Sequence, residues 1–514
     1  MGAIALKKNS FDIAAAIDVG TNHLKMSIAQ MNADGSILIL DEVSKPTSIG
    51  SDVFTYGRIN TQAIKDTVQT IKGFKRLLIE YQVKHYKAIA TSAFREAENQ
   101  EYVLERVRIN TDITIEVINS AQERYYMYKA LRYEYPNLGL DDADESVLVA
   151  NIASGGLEFS IYRQGSLTMT EYINIGALRL HESLSDLQNK TIEFSRVMEE
   201  FIYSKLSPVK SIISKANIKY FVGLGTELNA IFTLFNNKNN YIRKADVTKL
   251  YEKIRLMKSE EISTIYHLSE KQVETLLPSV IILNLFLKMT HIEKIYIPML
   301  ELHRGMILDI ADWRFDLLRQ RNFDEDIISS VWYIGKKYGI DRHHSSNVAK
   351  LALLIFDKTA KIHKLNRKYR LYLQIAAILH PIGYYVNFNN YNIIASWLIQ
   401  KQNIMGFSNK ELEIIASIVR YHETEVPQVY HSSYQNLTHE EKVIVSKLSA
   451  ILKLANSLDS SHEGKIKNIE IIHKKGELYF DLNTNYNTVL EEWMFAQRAD
   501  FFEEVMGLRP MIKK

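Results

Sequence analysis

A stretch near the start of the chain returns 133 positions later, from Asp18 to Asn151, and this echo limits the fold more than any other feature. Ala16-Ile17-Asp18-Val19-Gly20-Thr21-Asn22 runs into Leu24 to Ile28, and Val149-Ala150-Asn151-Ile152-Ala153-Ser154-Gly155 runs into Leu157 to Ile161. In register, Asp18 falls on Asn151, Leu24 on Leu157, Ser27 on Ser160 and Ile28 on Ile161. Each copy reads as strand, turn of small residues, strand, then a turn signal, Asp34-Gly35 in one and Gln164-Gly165 in the other. The repeat predicts two related α/β domains.

Helix and strand patterns alternate between the copies. Thr61 to Tyr81 carries apolar residues at helical spacing, Tyr86 to Ala90 is a short strand entering Thr91-Ser92-Ala93, Glu116 to Ile118 is another strand, and Gln122 to Leu131 another helix. Such alternation favours strands with helical crossovers. Phe221 to Thr226 adds a strand and a glycine turn, and Ile295-Tyr296-Ile297 precedes Arg304-Gly305. From about Asp312 helical patterns dominate, around Val348 to Ile355, Tyr372 to Leu379, Leu412 to Val419 and Leu448 to Leu458. A β-hairpin over Ile469 to Leu482, turning at Lys475-Gly476, and a last helix over Trp493 to Met506 close the chain. Asn236 to Asn240 is the clearest loop. The division expected is 1–130 and 131–312 for the two α/β domains and 313–514 for a mainly helical region.

Composition removes several classes of function. With no cysteine, disulfide frameworks, thiolate zinc sites and thiol nucleophiles are impossible, and a cytoplasmic home is expected. Lys plus Arg (63) against Asp plus Glu (60) leaves a net charge of +3, so no specific nucleic-acid partner is expected and any anion site must be local. The opening MGAIALKKNS shows no targeting pattern, and the apolar run Val280 to Leu287 is too short to span a bilayer, which needs about 20 residues. A buried helix is expected there, without integral membrane association.

Asp18, at the end of a strand, stands beside Gly20-Thr21-Asn22, so a carboxylate able to hold a hard cation neighbours a turn whose N–H groups and hydroxyl can face a phosphate. The alternative is an ordinary hairpin turn. If the halves fold alike, the turn Asn151 to Gly156 faces the first across a cleft, with Glu158 close by. Thr91, Ser92 and Arg95 offer two hydroxyls and a guanidinium for phosphate oxygens; their plain reading is a capped helix start with Arg95 in solvent.

Taken in order, Ala15 to Asn22, Ala90 to Asn99, Val117-Ile118 with Gln122-Glu123, Ile175 to Leu180 and Val222 to Thr226 resemble successive motifs of the exopolyphosphatase and guanosine pentaphosphate phosphatase family. Arg420-Tyr421-His422, Leu448 to His462 and Trp493 to Gly507 resemble its long form, so the resemblance covers nearly the whole chain. It implies two duplicated ribonuclease H-like domains of the actin, sugar kinase and Hsp70 superfamily, then an HD-like helical region. It implies release of terminal phosphate from inorganic polyphosphate, or from guanosine pentaphosphate, with Mg²⁺, by a homodimer. Glu123 matches the general base. Asp18 and Glu158, with Asn151, match the metal positions. Arg95 and Arg179, the glycines Gly155, Gly156, Gly223 and Gly225, and Ser154 and Thr226 fall at phosphate-binding positions.

Departures accompany the matches. Where the family's second loop reads Asp-Ile-Gly-Gly-Gly-Ser-Thr-Glu, this chain has Asn151-Ile152-Ala153-Ser154-Gly155-Gly156-Leu157-Glu158, so one carboxylate and two glycines are lost. Tyr125 and His303 stand where the family has arginines. These changes keep open a second reading, a catalytically weak sensor or scaffold for polyphosphate or an alarmone, beside a less favoured kinase of the same fold. In the helical region, His344, His380, His422 and His462 suggest an HD metal set, but Pro381 takes the place of its aspartate. Polar core contacts, or a groove for an extended anion, are expected of them, and the run Lys364 to Arg370 is expected to be solvated.

Overall fold

A computed structural model describes residues 11–138, 146–163, 166–188, 190–191, 193–235, 239–317, 319–474 and 477–513. The expected turn at Gln164-Gly165, the hairpin tip Lys475-Gly476 and residues 236–238 of the asparagine-rich loop lie outside these. The chain divides into two compact units, 1–326 and 327–514.

The first unit holds both α/β halves. One sheet has the order β3-β2-β1-β4-β5, from β1 (Phe11–Val19), β2 (His23–Asn32), β3 (Ile37–Pro46), β4 (His85–Ala90) and β5 (Glu116–Val117). The other has the order β10-β11-β9-β6-β7-β8, from β6 (Ser146–Ile152), β7 (Leu157–Arg163), β8 (Ser166–Ile173), β9 (Ile218–Leu224), β10 (Tyr241–Arg243) and β11 (Lys294–Tyr296). In each, an antiparallel meander of three strands continues through a parallel strand reached by a helical crossover. The duplication extends to register. Asp18 pairs with Lys25 across the first hairpin as Asn151 pairs with Glu158 across the second. Gly20 N–H donates to His23 O at 3.0 Å, and its echo, Ala153 N–H, donates to Gly156 O at 3.0 Å.

Alternation along β1 aims the site. Ala15, Ile17 and Val19 enter a core shared with the helices Thr61–Glu80 and Gln100–Thr111, so Asp18 leaves from the opposite face. Asn60 starts the first of these helices, its side chain accepting from Ala63 N–H at 2.8 Å. On the other face lies the helix Leu302–Phe315, packed in turn on the helix Ser120–Leu138, so the chain returns to the first sheet after completing the second. Gly305 permits that return, since a Cβ there would stand 1.8 Å from Tyr126 O. Lys87 and Lys129 then bind Asp309 at 3.0 and 2.8 Å, and Tyr125, in an arginine's place, donates to it at 2.9 Å.

The expected apolar segment lies inside the helix Glu270–Met289. It is, among the described residues, the one helix long and apolar enough to cross a membrane, and its window Gln272–Met289 is 78% buried inside the protein. In the second unit, helices Arg342–Lys358, Lys368–Leu379, Asn409–Arg420 and His439–Ser457 pack on one another. Ser408 with Glu411 and Thr438 with Glu441 form capping boxes that start two of them. The expected hairpin is β12 (Glu470–Lys474) and β13 (Glu477–Asp481); β14 (Arg509–Ile512) joins it parallel to β13 after the helix Val489–Met506.

Candidate active site

The two turns meet across a cavity of about 110 Å³. Asp18, Gly20, Thr21 and Asn22 line it from the first half, Asn151, Ser154, Gly155, Gly225 and Thr226 from the second, and Thr91, Ser92 and Glu123 also line it. Their side chains meet directly. Thr21 Oγ1 is 2.9 Å from Ser92 Oγ, and Asn22 Nδ2 donates to Ser154 Oγ at 2.9 Å. Ser154 Oγ donates in turn to Glu227 at 2.7 Å; burial raises the Glu227 carboxyl above its usual range, opposed by hydrogen bonds from Ser154 and Thr275. Gly155 allows this approach, because a Cβ would lie 2.2 Å from Ser92 Oγ. Gly225, at φ 100°, starts the helix Thr226–Leu234 without a side-chain cap, so its first N–H groups and positive dipole end are offered to an anion at the cavity wall.

Glu123 sits in the first turn of the helix Ser120–Leu138, its side chain 18% exposed. It faces Asp18, whose Oδ1 is shut off from solvent with no hydrogen-bond partner. Burial, with the Glu123 charge adding to it, pushes Asp18 up to about 7. Arg95 is not in solvent: Nη1 donates to Ile118 O at 2.8 Å and lies 3.4 Å from Glu123 Oε2. Tyr172 fills the space behind Gly156, where a Cβ would meet its hydroxyl at 2.2 Å.

Five expected residues stand behind the lining. Arg95 backs Glu123, and Gly156 backs onto Tyr172. Gly223 packs on Leu228 and Ile295 in the core. Arg179 is committed elsewhere: it makes two bonds to Glu96, at 2.7 and 2.5 Å, and one to Gly155 O at 2.8 Å, with its guanidinium over Phe54. Glu158 is buried against Arg124, and burial raises it to about 7 against that pull. Asn151 does line the cavity, its Oδ1 against Gly225. Among the described residues no three His, Asp or Glu side chains form a metal-holding group.

Lys25, Glu301 and His23 also line the cavity and were not expected. The echo carried a signal for Lys25, since its counterpart is Glu158. Nothing local marked Glu301, which arrives with the returning helix.

In the second unit His344, His380 and His422 are buried, and His462 lies exposed on the face of His344. His344 Nδ1 is 2.8 Å from Asp459 and its Nε2 3.2 Å from His380 Nε2; His462 stacks on His344 at 3.6 Å. His422 Nδ1 meets Val419 O at 2.5 Å and its Nε2 the Tyr391 hydroxyl at 3.0 Å. Arg370, in the expected solvated run, pairs with Asp357.

Residues 27–313 match the model of the Ppx/GppA phosphatase family, and residues 328–497 match Ppx/GppA phosphatase, domain III. A bifunctional 3-dehydroquinate synthase/phosphatase of Fusobacterium nucleatum is 29% identical over 194 residues, 37% of this chain but only 28% of that protein. A guanosine-5'-triphosphate,3'-diphosphate pyrophosphatase of Vibrio atlanticus is 20% identical over 445 residues, 86% of each chain. The crystal structure of the Aquifex aeolicus Ppx/GppA family member, 25% identical, superposes with a TM-score of 0.50 over 59% of this chain and 98% of its own. The expected duplicated α/β fold with a helical C-terminal region is thus the fold found, and the chain belongs to the Ppx/GppA phosphatase family.

Proposed function

We propose that the chain is an exopolyphosphatase that removes terminal phosphate from inorganic polyphosphate, with guanosine pentaphosphate as a second substrate. The observation that carries this reading is Glu123 facing the unpartnered Asp18 oxygen in a cavity walled by two small-residue turns. Glu123 takes a proton from water as the water oxygen attacks the terminal phosphorus, and the bridging P–O bond breaks to release the shortened chain. Thr21, Asn22 and Ser92, with the uncapped start of the helix Thr226–Leu234, hold phosphate oxygens, while the Ser154 hydroxyl is taken up by Glu227. Arg95 holds Glu123 in place.

Mg²⁺ fits this site through Asp18, whose buried oxygen lacks any other partner; the ion characteristically takes one or two carboxylates and completes its shell with water and phosphate oxygens. When bound, it draws negative charge from the reacting phosphate. Glu158 is paired with Arg124, which leaves Asp18 and the oxygen of Asn151 as the chain's donors.

Phosphate release from polyphosphate of defined length, with wild type and Glu123→Gln at varied Mg²⁺, tests the reading. The wild type is expected to release phosphate and Glu123→Gln to lose about 10²–10⁴-fold. The neutral Asn151 and the commitment of Ser154 to Glu227 favour a second reading, a weakly catalytic sensor. Tight polyphosphate binding by both proteins without release would establish that instead.

A further inference from the structure

The cavity is short of positive charge for a phosphate site. Its lining sets three carboxylates, Asp18, Glu123 and Glu301, against a single lysine, Lys25. Arg95 offsets Glu123 from behind the lining, and Lys25 is the one ammonium in the lining itself that a phosphate chain can meet. Lys25 already holds an anion. Its Nζ donates to Glu301 Oε2 at 2.7 Å, and His303 Nδ1 lies 3.4 Å from the same oxygen while its Nε2 is 2.9 Å from Glu42. The pair is 18% and 30% exposed, so the contact sits at the edge of the space rather than in bulk water.

The two partners differ in how firmly they are placed. Lys25 is fixed by strand register, opposite Asp18 in the β1–β2 hairpin. Glu301 ends the irregular segment after β11, two residues past Met299 at φ 54°, and its side chain makes no cap on the helix that follows. An ammonium with a carboxylate oxygen at 2.7 Å makes the same charge-assisted bond that it makes to a phosphate oxygen.

We propose that Glu301 is an internal anion at the phosphate position of Lys25 and that it determines which phosphates the cavity accepts. It rests on the reading of the cavity as a phosphate site and names the residue that selects there. A terminal phosphoryl group displaces the Glu301 carboxylate and takes its bond to Lys25. The exchange swaps one anionic oxygen for another, so a highly charged chain end gains from it while orthophosphate gains little. Glu301 returns to Lys25 as the product leaves.

The test measures binding of tripolyphosphate and of orthophosphate, each with Mg²⁺, by calorimetry in a Glu123→Gln background, which removes turnover. Glu301→Gln is expected to tighten tripolyphosphate about fivefold, to tighten orthophosphate by a larger factor, and to steepen the loss of affinity with salt, since Lys25 is then uncompensated. Lys25→Met is expected to abolish the difference between Glu and Gln at position 301. In the Glu123-containing enzyme the gain is expected in KM. If Glu301→Gln binds tripolyphosphate no tighter while Lys25→Met still weakens it, Glu301 does not compete at Lys25 and the phosphate site stands. If neither wild type nor any variant binds tripolyphosphate or releases phosphate, both readings fall. A merely structural Glu301 would shift the melting temperature and leave the salt dependence untouched.

Discussion

At the scale of single residues, the cavity shows what a motif conveys and what it does not. Asp18 could be picked out because it ends a strand beside a turn of small residues, whereas Glu123 was reached only through the family resemblance; both line the cavity. Arg179 and Glu158 stand behind the lining, each paired with a charge from another segment, Glu96 and Arg124, that no single motif shows. Asn151 makes the loss of charge testable. Its oxygen lines the cavity beside the buried Asp18 site, so Asn151→Asp is expected to lower the Mg²⁺ concentration for half-maximal phosphate release about three- to tenfold, read from metal titrations of activity.

Among elements, the paired turns are the device that makes the site, and two glycines separate their role from ordinary flexibility. Gly155→Ala would drive a Cβ to 2.2 Å from Ser92 Oγ and 2.7 Å from Ser92 Cβ, so the second turn must move off Ser92. A loss of about 1–3 kcal/mol in denaturant unfolding, together with loss of phosphate release, is expected. Gly73, inside the helix Thr61–Glu80, has nothing within 4 Å of a Cβ, and Gly73→Ala is expected to stabilise by about 0.5–1 kcal/mol with activity kept. The strand–turn–strand repeat could be read directly because alternation and small turn residues are local properties. The strands β10 and β14 could not, being three and four residues long and defined by the neighbours they pair with. The helix Ser120–Leu138 runs well past its expected end at Leu131, where packing on the returning helix overrides the fading periodicity.

On the scale of the whole molecule, the two units answer to different conditions. Burial holds His422 down to about 4 and His380 well below its ordinary value, so both are neutral in the folded helical unit. As pH falls below about 6.5 the unfolded chain takes up these protons first, and stability declines until the folded histidine also titrates. For His422 alone, a drop from 6.5 to about 4 corresponds to about 3 kcal/mol lost across that window, with no loss above it. Trp332, Trp397 and Trp493 report on this unit, so melts followed by their fluorescence should fall steeply between pH 6.5 and 4, and His422→Gln should flatten the slope. In the other unit, the helix Leu302–Phe315 carries a consequence for how the chain can be divided. The strand order invites a cut between the halves, yet a fragment stopping near residue 300 would leave Ala14 and Ala16 uncovered and strip Lys87 and Lys129 of their shared aspartate. The amino-terminal half therefore cannot finish folding until the carboxy-terminal end of its sibling has emerged, which makes the duplicated pair one inheritable piece rather than two exchangeable ones.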